Sequence, residues 1–133
     1  PGWFTTDTQN KIEIWSSGFN GVASAEGKQF AELNAYSASR LYQDVPTTPG
    51  QTLSWSLNHR GRQGTDVMRV LIGPPPAPVQ NGANLSDGLS WGTHTGTYTV
   101  PAKSDSSPGL GALVCPPTVT VTSAIPVPGG VTT

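Results

Sequence analysis

Apolar and polar residues alternate through most of the first hundred positions, in short runs stopped by Gly, Pro, Asn or Asp. A period of two with frequent stops is the pattern of short, half-buried antiparallel strands. Lys11–Trp15 places Ile12 and Ile14 on one face and Lys11, Glu13 and Trp15 on the other. Gln29–Ala35 sets Ala31, Leu33 and Ala35 opposite Phe30, Glu32 and Asn34, and Arg40–Val45 sets Leu41, Gln43 and Val45 opposite Tyr42 and Asp44. The cleanest run is Thr52–Arg60, with Leu53, Trp55 and Leu57 on one side and Ser54, Ser56 and Asn58 on the other. Asp66–Gly73 groups Met68, Val70 and Ile72, and Trp91–Val100 turns Tyr98 and Val100 inward if Thr95, Thr97 and Thr99 face out.

The connections carry turn chemistry. Pro46 to Gly50 reads as a turn, because proline presets φ and Gly50 tolerates a positive one. Arg60–Gly64 reads as a polar hairpin loop and Asn81–Gly88 as a second loop. Pro74–Pro78 cannot join a strand ladder and is expected to cross the surface. Ser37–Leu41 has room for a single helical turn. After Pro101 the composition changes. Lys103–Gly111 reads as a linker, followed by a Thr/Pro-rich tail in which Thr118, Val119, Thr120, Val121 and Thr122 form a plausible strand. The expected organisation is thus an all-β sandwich of two antiparallel sheets over 1–102, with a linker and extended tail over 103–133.

Composition narrows the function. A chain of 133 residues is large enough for one domain with its own core. Charged residues make up only 11% and the formal net charge is −1, so binding nucleic acid through counterion release is not expected. No 18-residue apolar run spans a membrane. Cys115 is the only cysteine, which excludes an internal disulfide and leaves no cysteine cluster for zinc. Abundant Gly, Ser and Thr fit a protein on a cell or particle surface. The chain opens on Pro1 without a signal peptide, which reads as a processed product or a fragment.

Pro1–Pro101 resembles a bacterial and phage family of galactose-binding-like jelly-roll modules. The likeness rests on PGWFTTD at 1–7, IEIWSSGFNGV at 12–22, EGKQFAELNA at 26–35, LYQDVPTTPGQTLSWSLNHRGR at 41–62, DVMRVLIG at 66–73 and WGTHTGTYTVPA at 91–102. The resemblance implies a carbohydrate-binding-module type of β-sandwich, extracellular or virion-displayed, normally without catalysis. The chain departs from that pattern at both ends. The strand that usually precedes the first motif is absent, and the Pro/Thr-rich tail replaces the closing strand. A sheet left with an open edge is a template for another strand, from the tail of the same chain or from a neighbouring subunit.

Several residues are candidates for chemistry. Asn58, Arg60, Arg62 and Asp66 make the densest polar cluster, with side chains suited to bonding sugar hydroxyls. A solvated hairpin with its arginines paired to Asp66 and Asp44 is the competing account. His59 is a weaker candidate, because alternation aims it to the core side with Trp55 and Leu57. Glu32 and Asn34 share a face with Phe30 and fit either a sugar site or a structural bond from Glu32 to Arg60 or a turn. Trp55 reads as core. Trp15, on the polar side of its run, and Trp91, after a Gly/Ser loop, are the candidate sugar-stacking platforms, unless they cap the sandwich.

No cofactor or metal is expected. Asp7, Glu26 and Asp44 are the candidates for a structural calcium, but they form no loop of recognisable spacing. Nor does any carboxylate pair, triad or phosphate loop emerge: Gly18–Gly21 leads into no helix, and Cys115 has no nearby base. The expectation is a non-catalytic, surface-displayed carbohydrate-binding module whose partners are glycans and other subunits. The rival is a structural subunit of a filament, capsid decoration or phage tail that assembles through its termini.

Overall fold

The computed structural model describes residues 2–34, 36–75 and 77–102, together with the backbone strand at 118–123. The expected linker at 103–111, Ala35, Cys115 and Ile125 lie outside the described residues. Among the described residues there are ten strands: β1 (Phe4–Thr5), β2 (Glu13–Ser16), β3 (Gln29–Glu32), β4 (Arg40–Asp44), β5 (Thr52–His59), β6 (Asp66–Gly73), β7 (Val79–Gln80), β8 (Leu85–Asp87), β9 (Gly92–Thr99) and β10 (Thr118–Ser123). All pairings are antiparallel, and the fold is all-β and sandwich-like.

The largest sheet runs β1-β4-β10-β6, with β7 and β8 sharing the second edge of β6. Residues Asp66–Met68 of β6 pair with β8 and Leu71–Ile72 with β7. Between them the Asn81 amide donates to the Val70 carbonyl at 2.8 Å. β10 lies between β4 and β6, with Val121 opposite Leu41 on one side and Val70 on the other. Two further sheets have two strands each, β2-β3 and β5-β9.

The core follows the alternation of β6. Met68, Val70 and Ile72 are buried, the last two at 2% and 1% exposure, joined by Trp15 and Val100. Burying branched and sulfur-containing chains in this way contributes about 1.5–3 kcal/mol each. On β9 the expected orientation holds: Thr93, Thr95, Thr97 and Thr99 are exposed, while His94, Gly96 and Tyr98 are half-buried. The turn before β5 is also as expected. Gly50 takes φ +80°, and its amide donates to the Val100 carbonyl at 2.9 Å, prolonging the β5-β9 ladder.

Five expectations need correction. The Arg60–Gly64 segment is not a hairpin, because β5 pairs with β9 while β6 belongs to the large sheet. It is a crossover between sheets. Gly61 is buried there, and its amide donates to the Gly88 carbonyl at 2.7 Å. A Cβ at that glycine would collide with the Gly64 carbonyl, so the tight path needs the missing side chain. The Asn81–Gly88 loop contains β8, a three-residue strand whose single alternation is too short to read from sequence. Ser37 and Ala38 form bends rather than a helical turn; the short 3₁₀ segment is at Phe19–Gly21.

The fourth correction concerns β2. Trp15 is 8% exposed whereas Ile14 is 52% exposed, so the indole side faces inward. Alternation says which residues share a face but not which face is buried. Here register decides: Trp15 lies opposite Phe30 of β3, and burying the two rings removes more apolar area than burying Ile14 and Ala31 would. The strand expected over Gln29–Ala35 stops at Glu32, and Leu33 and Asn34 enter a turn.

Candidate functional site

The inward faces of β2 and β3 build an aromatic wall. The Trp15 ring stands 4.5 Å from Phe19 and 5.7 Å from Phe30, centroid to centroid, and Phe30 stands 5.8 Å from Trp91. The two Phe30 contacts are edge-on, the arrangement ring quadrupoles favour. Trp91 is pinned by its indole N–H, which donates to the Ala23 carbonyl at 2.8 Å.

Facing this wall is the crossover from β5 to β6. Between them lies a cleft of about 250 Å³. Trp15, Glu32, Asn34, Asn58, Arg60, Arg62, Asp66 and Trp91 all line it, so every carbohydrate-site residue expected from sequence borders one cavity. Leu57, His59 and Met68 line it as well. Both arginines lie over indoles: the Arg62 guanidinium carbon is 4.9 Å from the Trp15 ring centroid and that of Arg60 is 5.8 Å from Trp91. Trp15 therefore acts as a buried wall rather than as an open stacking platform, because Arg62, Phe19 and Phe30 cover it.

The crossover holds its own shape. The Arg62 amide donates to Asp66 Oδ2 at 3.1 Å, and Arg60 Nε donates to the Gly61 carbonyl at 3.1 Å. This leaves the Arg62 guanidinium directed to the indole rather than spent on Asp66. Asn58 is held from β9, where Thr93 Oγ1 donates to Asn58 Oδ1 at 2.7 Å. Glu32 sits against this rim with its carboxyl pushed above the usual range. Burial is the main cause; Arg62 opposes it, and the nearby charges of Glu13 and Asp66 add to it. Glu13 lies directly opposite Glu32 in the β2-β3 register. Like charges so placed disfavour the ionised pair.

A second polar group was not foreseen from sequence. His59 Nδ1 and His94 Nε2 both approach Asp87 Oδ2, at 2.6 and 2.7 Å. Asp87 comes from β8 in the large sheet, the histidines from β5 and β9. Register explains the convergence: His59 pairs with Gly92 and Leu57 with His94, so the rings are diagonal neighbours on one face. The inward aim of His59 was legible from alternation. Its partner on β9, and the carboxylate from β8, depend on strand pairing. Burial raises the Asp87 carboxyl, but hydrogen bonds from the two imidazoles outweigh it and hold the group below its ordinary range.

Asp7, weighed above for calcium, has another use. Its carboxylate accepts the Gln9 amide at 3.0 Å and the Ser37 hydroxyl at 3.0 Å, closing a turn and tying it to the segment before β4. Burial pushes this carboxyl up, yet those bonds and the Lys11 amide hold it low. Among the described residues, Asp7, Glu26 and Asp44 do not form a metal-sized group; His59, Asp87 and His94 do.

No family model, curated protein or solved structure matches this chain.

Proposed function

We propose that this chain is a non-catalytic, surface-displayed module, a jelly roll in its winding, that binds carbohydrate in the cleft between the β2-β3 wall and the β5–β6 crossover. The observation that carries the reading is the convergence of two indoles, two arginines, Asn58 and Glu32 on one cavity of about 250 Å³. That volume lies just below the roughly 300–1,000 Å³ of sites for drug-sized ligands and suits a single sugar residue. Trp91 supplies an apolar face, while Arg60, Arg62, Asn58 and Asp66 supply hydrogen bonds to hydroxyls. Glu32, whose carboxyl is pushed up, donates or accepts according to its protonation. A site this shallow binds weakly as one copy and gains strength by display in many copies on a cell or virion surface.

A glycan array probed with a multimerised form tests the reading. We expect a restricted set of glycans to bind, and Arg62→Ala or Trp91→Ala to weaken binding at least about tenfold, or about 1.4 kcal/mol. No binding by the folded multimer, or equal binding by both variants, sinks it. The rival reading, a structural subunit assembling through its termini, draws on β10. A strand from far along the chain fills the slot between β4 and β6, and a second copy can offer the same strand in the same register. Light scattering on the intact chain and on a chain ending at residue 102 separates the two: concentration-dependent particles that vanish on truncation, while far-UV circular dichroism shows the β fold intact, support assembly.

A further inference from the structure

Both histidines of the chain, out of 133 residues, meet at one carboxylate, and the three residues come from three different strands to do so. We propose that His59, Asp87 and His94 form a binding site for a divalent transition ion of the zinc class. The donor set is two imidazole nitrogens and one carboxylate oxygen, which suits zinc and its late first-row neighbours over magnesium or calcium.

The geometry is close to that of a bound ion. The three ligand atoms lie within 4.8 Å of one another. A tetrahedral ion with bonds of about 2.0–2.1 Å spaces its ligands about 3.3 Å apart. The nitrogens stand 2.6 and 2.7 Å from Asp87 Oδ2, so an ion requires the carboxylate to retreat by roughly 0.6–0.7 Å, a motion its side-chain torsions allow. The backbone makes room for it. A Cβ at Gly92 would collide with Asp87 Oδ1 and crowd His94 Nε2, so the glycine opens the space the carboxylate occupies between the rings. Side-chain exposures of 12%, 24% and 13% for His59, His94 and Asp87 let solvent reach the group, leaving a fourth position for water.

Charge and proton accounting agree. The partly buried Asp87 carboxylate offers a negative charge beside the two rings, which a divalent cation offsets. Each ring then carries its proton on the nitrogen turned away from the ion, and His94, the most exposed of the three, can present it to water. Occupancy would tie β5, β8 and β9 together and stiffen His59, which also lines the cleft. The site stands independently of whether the cleft binds sugar.

The test uses the intact chain, stripped with a chelator and titrated with zinc chloride by calorimetry, with cobalt(II) absorption and histidine ring NMR in parallel. We expect one ion per chain, a melting temperature raised by several degrees at about 100-fold excess over Kd, and movement of both histidine ring signals. Cys115→Ser should leave this unchanged, while Asp87→Asn, His94→Ala and Gly92→Ala should each weaken binding at least about tenfold. If a variant fails to fold, as judged by far-UV circular dichroism, the wild-type ring signals and cobalt spectrum still decide. Zinc that leaves melting and both ring signals unmoved overturns the proposal and leaves a closed hydrogen-bonded brace. Binding that persists undiminished in folded Asp87→Asn and His94→Ala overturns it too.

Discussion

Glu32 and Asp87 are both half-buried carboxylates, and their environments push them in opposite directions. Glu32 on β3 and Asp87 on β8 both lose hydration, which alone would raise each. Asp87 receives two imidazole hydrogen bonds and ends low; Glu32 faces Glu13 and Asp66, with Arg62 as its counterweight, and ends high. Burial is common to both. The partners differ, and partners set the outcome. The Asp87 carboxylate is held directly by two imidazoles, whereas Glu32 borders a cleft lined by Asn58 and by two guanidiniums that lie over indoles.

The comparison can be broken at several points. The largest effect is expected from Trp15→Ala, which removes the buried wall shared by the cleft and the core; about 3–5 kcal/mol should be lost in urea unfolding. Asp87→Asn comes next. Replacing a carboxylate that accepts two imidazole bonds should cost about 2–3 kcal/mol at neutral pH by the same assay. Because the folded carboxyl is held low, this contribution is complete above its ordinary value of 3.8 and fades as pH falls through the lowered one. Wild type and variant should therefore converge in acid, and parallel stability curves down to strongly acidic pH would contradict this.

Glu32→Gln has the reverse sign. A raised carboxyl makes the ionised form costly in the folded state, so the neutral variant should be more stable at pH 7, by up to about 1 kcal/mol. The gain should be full above the raised value and vanish below the ordinary value of 4.5. Thermal melts at pH 7 and pH 4 test it, and a Gln variant less stable at both would show that Arg62 dominates. The smallest effect is Arg62→Ala, which should drive Glu32 further upward with little change in stability. Side-chain NMR titration of Glu32 reads that movement directly.

Much of the fold was legible before any coordinate. The strands at 52–59, 66–73 and 92–99 follow from alternation, and their half-buried and exposed faces from the apolar members. The residues that border the cleft were also readable as a polar cluster with aromatics near it. Trp15 was not placed correctly, because a four-residue strand shows only which side chains travel together. The crossover at 60–65 looked like a hairpin because turn residues mark a reversal without saying which strand receives the chain.

By itself, then, the order of residues determined an all-β chain, its strand periodicity, its weak net charge and the chemistry at the crossover. These are local properties, set by side-chain alternation and backbone freedom within a few positions. Only the tertiary structure decided that β5 pairs with β9, that the indole of β2 turns inward, and that His59, Asp87 and His94 meet. Such meetings depend on contacts between residues dozens of positions apart, which become favourable only when whole faces are buried together. Periodicity carries no record of the partner.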